Sequence, residues 1–165
     1  MDERERRIRF TEAGEAEAEI ITRLRKTMWE HTYRGIYPDA AIDQYDSAFH
    51  LERDLERARD PNYRIFLVRD GEEPVGYFSL QHKVRVHLQS LYLLPDYQRL
   101  GIGKAAMELV RDYCREQKLS SFTCNCNAHN QNARAFYAHL GGLVIREDLG
   151  HSNLQEDQIT YQFSV

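Results

Sequence analysis

Cysteine, proline and glycine are scarce in this chain: three, four and nine among 165 residues. Three cysteines cannot all pair with one another, and a chain of this length builds a core without staples, which excludes a disulfide scaffold. No apolar run approaches the roughly 20 residues that span a bilayer, which excludes a membrane helix. No repeat, low-complexity tract or Pro/Gly-rich linker divides the sequence, so residues 1–165 are expected to form one domain. The segment Met1–Arg7 has mixed charge and no apolar stretch behind it, so it does not read as a secretory signal. Nor is there a surplus of positive charge. The net charge of −4 argues against unspecific nucleic-acid binding and is compatible with a cationic ligand. What is present, 42% hydrophobic and 29% charged residues, is ordinary for a globular protein and excludes disorder. A soluble cytoplasmic protein with no nucleic-acid or membrane partner is the expectation.

Periodicity places the elements. Ile8-Arg9-Phe10 reads as a short strand. Ile20, Ile21, Leu24 and Met28 recur at spacings of three and four and predict a helix from about Gly14 to His31. Gly35 and Pro38 break it, and a second helical stretch, in one or two pieces, runs from Asp39 to Arg59. Then the period changes. Strands are predicted at Tyr63–Val68, Val75–Lys83 and Val86–Leu94, the first two joined by a turn at Asp70-Gly71-Glu72-Glu73. A helix with Ile102, Ala105, Ala106, Leu109, Val110 and Tyr113 on one face follows, then a strand at Ser121–Cys126 and a helix at Asn130–Leu140 closed by Gly141-Gly142. Leu143–Arg146 and Ile159–Phe163 are the last strands. Strand, helix and strand over residues 86–126 imply a locally parallel pair. The expected fold class is α/β (α+β), a mixed, mostly antiparallel sheet of six or seven strands with helices on both faces. Cys124 and Cys126 alternate on their strand and share a face; with His129 they offer only three ligands at an unfamiliar metal spacing, so packing is the reading and no metal is expected.

The segment Gln98-Arg99-Leu100-Gly101-Ile102-Gly103-Lys104 joins a strand to a helix. A helix start leaves backbone N–H groups without partners at the positive end of the dipole. Gly101 and Gly103 would let that backbone approach a phosphate, with Arg99 and Lys104 adding charge. A Walker A loop fails, because Gln98 stands at its first glycine and Ala105 follows the lysine. The dinucleotide fingerprint is formally matched by Gly101, Gly103 and Ala106, but no carboxylate ends the next strand, which reads Cys124-Asn125-Cys126-Asn127. A glycine-rich turn without a ligand is the remaining alternative.

That loop closely resembles the Gln/Arg-x-x-Gly-x-Gly/Ala loop of the GNAT acetyltransferases. A second segment is similar to that family's other hallmark: Asn130, Ala133 and Tyr137 occupy an Asn-x-x-Ala-x-x-x-Tyr run ahead of Gly141-Gly142. Taken alone, Asn130 would also suit a helix cap and Phe136-Tyr137 any amphipathic helix. The Trp29–Pro38 stretch resembles the first-helix region of small family members, and Pro38–Leu55 has a weaker likeness to the bacterial polyamine acetyltransferases.

The resemblance implies the GNAT fold, with strands parting to form a coenzyme A cleft, and acetyl-CoA as cofactor. Backbone near Leu91 and Leu93 would bond the pantetheine arm, amides of Gln98, Arg99, Leu100, Gly101, Ile102, Gly103 and Lys104 the pyrophosphate, and Asn130 the cofactor arm. Tyr137 would protonate the leaving sulfur. The general base is open: residues 87–92 carry no carboxylate, leaving His87, His82, Glu30, His31 or a water held by Gln89 and Ser90, or direct capture of neutral amine. Glu30, Tyr33, Tyr37 and Gln89 are candidates for the acceptor site. Asp39, Asp43, Asp46, Glu52, Asp54 and Glu56 would suit a cationic small-molecule amine such as a polyamine, or form a solvated helix face. The alternatives are a protein N-terminal or lysine acetyltransferase, and a cofactor-binding module without activity. A homodimer is common in the family.

Overall fold

Ile65-Phe66-Leu67-Val68 is apolar without a break, so this strand must be covered on both faces. The computed structural model, which describes residues 7–165, shows how. Phe66, Val68, Phe78, Leu80, Val86 and Leu88 turn to one side, and Ile65, Leu67 and Tyr77 to the other. Most of the Met1–Arg7 segment lies outside the described residues.

Seven strands form one sheet: β1 (Ile8–Ala13), β2 (Tyr63–Asp70), β3 (Glu73–His82), β4 (Val86–Leu93), β5 (Ser121–Asn127), β6 (Leu143–Asp148) and β7 (Gln158–Ser164), in the order β1-β2-β3-β4-β5-β7-β6. Every pairing is antiparallel except β4 with β5. Helices α1 (Ala18–Met28), α2 (Asp39–Asp43), α3 (Ser47–Arg59), α4 (Ile102–Glu116) and α5 (Gln131–His139) complete the chain. Helix α1 packs Ile21 and Leu24 on Ile65, Leu67 and Tyr77, while α4 packs Ile102, Ala106, Met107 and Val110 on the opposite face.

Two expectations need correction, for the first helix and for the buried face of α4. The predicted helix 14–31 is a 3-10 turn at Glu15–Glu17, then α1, then a π-helical turn at Trp29–Tyr33, which loosens the chain where the aromatic cluster begins. The second helical stretch is two helices, broken before Ser47, where the Asp46 carboxylate caps α3 by accepting the Phe49 N–H at 3.0 Å. On α4 the buried stripe runs Ile102, Ala106, Met107, Val110 and Cys114, so Ala105 is exposed. Cys124 and Cys126 do share the core face, and all three cysteines are free and buried. His129 turns instead to Asp157, 2.7 Å away.

Candidate active site

Strands β4 and β5 pair only at His87↔Thr123 and Leu88↔Cys124. Beyond Leu88 they diverge. The cause is a bulge: β3 pairs Ser79 with Ser90 and Leu80 with Leu88, so Gln89 is an extra residue on β4. A bulge bends its strand and raises the local twist. Residues 89–93 therefore keep β3 on one side and have no β5 partner on the other. Leu91 and Leu93 lie on this freed stretch, their side chains against the core.

The glycine loop stands at the open end of the split. The Gln98 amide is used locally, donating to the Pro95 carbonyl at 3.2 Å, and its side-chain amide donates to the Leu93 carbonyl at 3.0 Å. The first helical bond of α4 runs from the Ala105 N–H to the Gly101 carbonyl. Between them, the amides of residues 99–104 have no hydrogen-bond partner among the described residues. Arg99, with φ 61°, and Gly101, with φ 81°, both take the left-handed conformation, a pattern that builds concave anion sites. Arg99 and Lys104 are exposed beside them. Gln98 thus belongs to the loop's scaffold rather than its free amides. Gly103 has a second reason to be glycine: a Cβ there would meet the Phe136 ring at 2.9 Å, so it admits the close approach of α5.

Tyr137 enters the vertex of the split from the α4 face. It is 6% exposed, and its hydroxyl lies near the thiol of Cys124, the last β5 residue to pair with β4. Burial, together with the neighbouring thiols, keeps this phenol protonated far above its ordinary range. His87 lies at the same vertex. Its Nδ1 is 2.7 Å from Thr123 Oγ1 and its Nε2 2.9 Å from Asn125 Oδ1. Withdrawal from water lowers its pKa, so it is neutral at pH 7.

The other candidate bases fall away by position. His82 bonds the Tyr113 hydroxyl of α4 at 2.6 Å, at the paired end of β3 opposite Val86. His31 is exposed. Glu30 pairs with Arg34, which also binds Asp39 and Asp43. Gln89 donates to Gln81 Oε1 at 2.9 Å. The acidic wall is correspondingly thinner than expected: Asp46 is a helix cap and Asp54 is buried on Arg25. What faces the split is aromatic. Tyr33 stacks on Tyr37 at 4.2 Å, meets the edge of Tyr92, and brings its hydroxyl into polar contact with Tyr92 and Asn130. Asn130 also caps α5, accepting the Ala133 N–H at 3.1 Å. Thr123 and Asn125 are not among the candidates the sequence motifs supply, although the alternation of Thr123, Asn125 and Asn127 against Phe122, Cys124 and Cys126 marks a polar strand face.

Residues 23–142 match the acetyltransferase (GNAT) family. The chain belongs to that family. GNAT members are transferases whose cosubstrate is acetyl-CoA. Among curated relatives, the 5-NmdU N-acetyltransferase of Pseudomonas phage PaMx11 is 37% identical over 82 residues, 48% of this chain and 56% of its own. The peptidyl-lysine N-acetyltransferase YjaB of Escherichia coli (strain K12) is 28% identical over 105 residues, 62% of this chain and 66% of its own. The chain thus spans between half and two thirds of these relatives. In fold, it is similar to the PaiA N-acetyltransferase of Thermoplasma acidophilum in complex with coenzyme A, with TM-score 0.78 and 18% identity over 96% of this chain and 99% of that one. Among the described residues, no helix is long and apolar enough to cross a membrane.

Proposed function

We propose that the chain transfers an acetyl group from acetyl-CoA to a primary amine of a small molecule such as a polyamine, within a single domain. The observation that carries this is the split itself: two strands part where a buried phenol stands at the vertex and a run of unpaired amides at the mouth. Those amides, with Arg99 and Lys104, suit a pyrophosphate, and the freed edge near Leu91 and Leu93 suits an amide-bearing arm. Bound there, acetyl-CoA would supply the acetyl group as a thioester. Tyr137, kept protonated, would donate its proton to the departing sulfur.

A small acceptor is favoured by Tyr33, which is 4% exposed and reaches from the first-helix wall to Asn130 across the split. A peptide needs an open groove. Glu30, Asp39 and Asp43 set three carboxylates against the one guanidinium of Arg34 just beyond Tyr33, an excess of negative charge that suits an amine cation. The second reading, a protein lysine or N-terminal acetyltransferase, draws on the likeness to YjaB.

A thiol-release assay with acetyl-CoA against polyamines, amino sugars, amino acids, 5-NmdU and short peptides tests both. Turnover on a small amine supports the first; turnover on peptides alone would displace it. The cradle has its own test. Gly101→Asp puts some strain on the left-handed backbone, less than most residues would because Asp enters that region more readily, and it places a carboxylate where an anion would sit. Loss of charge-assisted bonds worth about 1.5–3 kcal/mol should weaken coenzyme A binding roughly 10- to 150-fold. Equal affinities by calorimetry would remove the loop from the cofactor site.

A further inference from the structure

An alkylammonium must lose a proton before it can attack a thioester, and a hydrogen-bond chain across β4, β5 and β7 is arranged to take it. Its polarity is fixed at one end by a backbone carbonyl, which can only accept. Gln158 Nε2–H donates to the Gln155 carbonyl at 3.1 Å, which turns Gln158 Oε1 toward the Asn125 side-chain N–H at 3.0 Å. Asn125 then presents Oδ1 to His87 Nε2 at 2.9 Å, so that nitrogen carries the proton. His87 Nδ1 is left with a lone pair and accepts the Thr123 hydroxyl at 2.7 Å. Thr123 and Asn125 alternate with Cys124, so this chain meets the vertex on the face opposite Tyr137.

We propose that His87 is the proton acceptor for the incoming amine and that Thr123 relays to it. The ammonium proton passes to Thr123 Oγ1 as the Thr123 proton passes to His87 Nδ1; the amine is left neutral, the imidazole becomes an imidazolium, and no other bond changes. Both N–H groups of that imidazolium keep acceptors already in place, Thr123 Oγ1 and Asn125 Oδ1. Around His87, the contacts are uncharged: Thr123 and Asn125 on β5, Gln158 behind them on β7, and Gln81 in register on β3, which bonds Gln89. The nearest titratable residue on β3, His82, is engaged with Tyr113.

This rests on the acetyltransferase reading, so the test has two parts. Nitrogen-15 NMR of the histidines in the ligand-free chain should show His87 as the neutral Nε2–H tautomer at pH 7, titrating below the ordinary 6.5. An Nδ1–H tautomer or an imidazolium at pH 7 overturns the relay whatever the acceptor. In steady-state assays, His87→Gln should lose about 10²-fold in kcat/KM at pH 7. The loss should shrink as pH nears the amine's own pKa of about 10, because the neutral amine then needs no base. Thr123→Val should follow the same profile with unchanged coenzyme A affinity. A deficit equal at every pH, or an unaffected Thr123→Val, overturns the proposal. A wild type inert toward every amine overturns the acetyltransferase reading itself, and the relay with it.

Discussion

Tyr137→Phe is expected to lower kcat by about 10²- to 10⁴-fold, the range for loss of a general acid. Coenzyme A affinity should hardly change, because the hydroxyl lies near Cys124 rather than at the glycine loop. The ring keeps its packing against Phe136, Tyr161 and Phe163 at centroid distances of 5.3, 5.6 and 6.0 Å, so the fold should survive. The substitution therefore separates chemistry from structure. Single-turnover rates measured beside the melting temperature would show it: a slow, well-folded variant supports the acid, and wild-type turnover removes Tyr137 from the reaction.

Asp54→Ala has the largest expected effect on stability. Both carboxylate oxygens bind Arg25, at 2.7 Å each, and Thr22 donates a third bond at 2.7 Å. The pair ties α1 to α3 and is nearly closed to water, with Asp54 3% and Arg25 9% exposed. Removing one partner strands a buried guanidinium, which costs about 3–5 kcal/mol, whereas the intact pair adds little over an apolar substitute. Urea unfolding should show a loss of that size in unfolding free energy, read as a lower midpoint at unchanged m. Asp39→Ala breaks an exposed pair with Arg34 and should leave the midpoint nearly unchanged. Similar shifts in both would mean that burial does not govern the Asp54 bond.

The contrast between these two aspartates shows where sequence reading stops. Both stand in an acidic helical stretch, and the spacing gives no sign that one is buried. Asp54 meets Arg25 across 29 residues, a meeting fixed by how α1 and α3 lie on the sheet. His87 is similar. As a histidine on a strand, it is one of several possible bases, and only the pairing of β4 with β5 and of β5 with β7 supplies the three side chains that orient it. In the sequence Gly103 reads as a glycine for a phosphate, while Phe136, 33 positions along, explains it as well.

What the sequence determined by itself is local and periodic. The continuous apolar run of β2 demands a sheet covered on both faces, the 3.6-residue period of α4 and the turn at Gly101 place a helix start after β4, and Tyr137 lies eight residues into the second motif counted inclusively from Asn130. These follow from short-range stereochemistry and burial, which neighbouring residues fix. The tertiary structure alone decided where strands stop pairing, which carboxylates are withdrawn from solvent, and which polar side chains line one another up. Each depends on contacts between residues far apart in sequence, and the bulge at Gln89 that opens the split is a mismatch in register between two strands that neither strand records in its own composition.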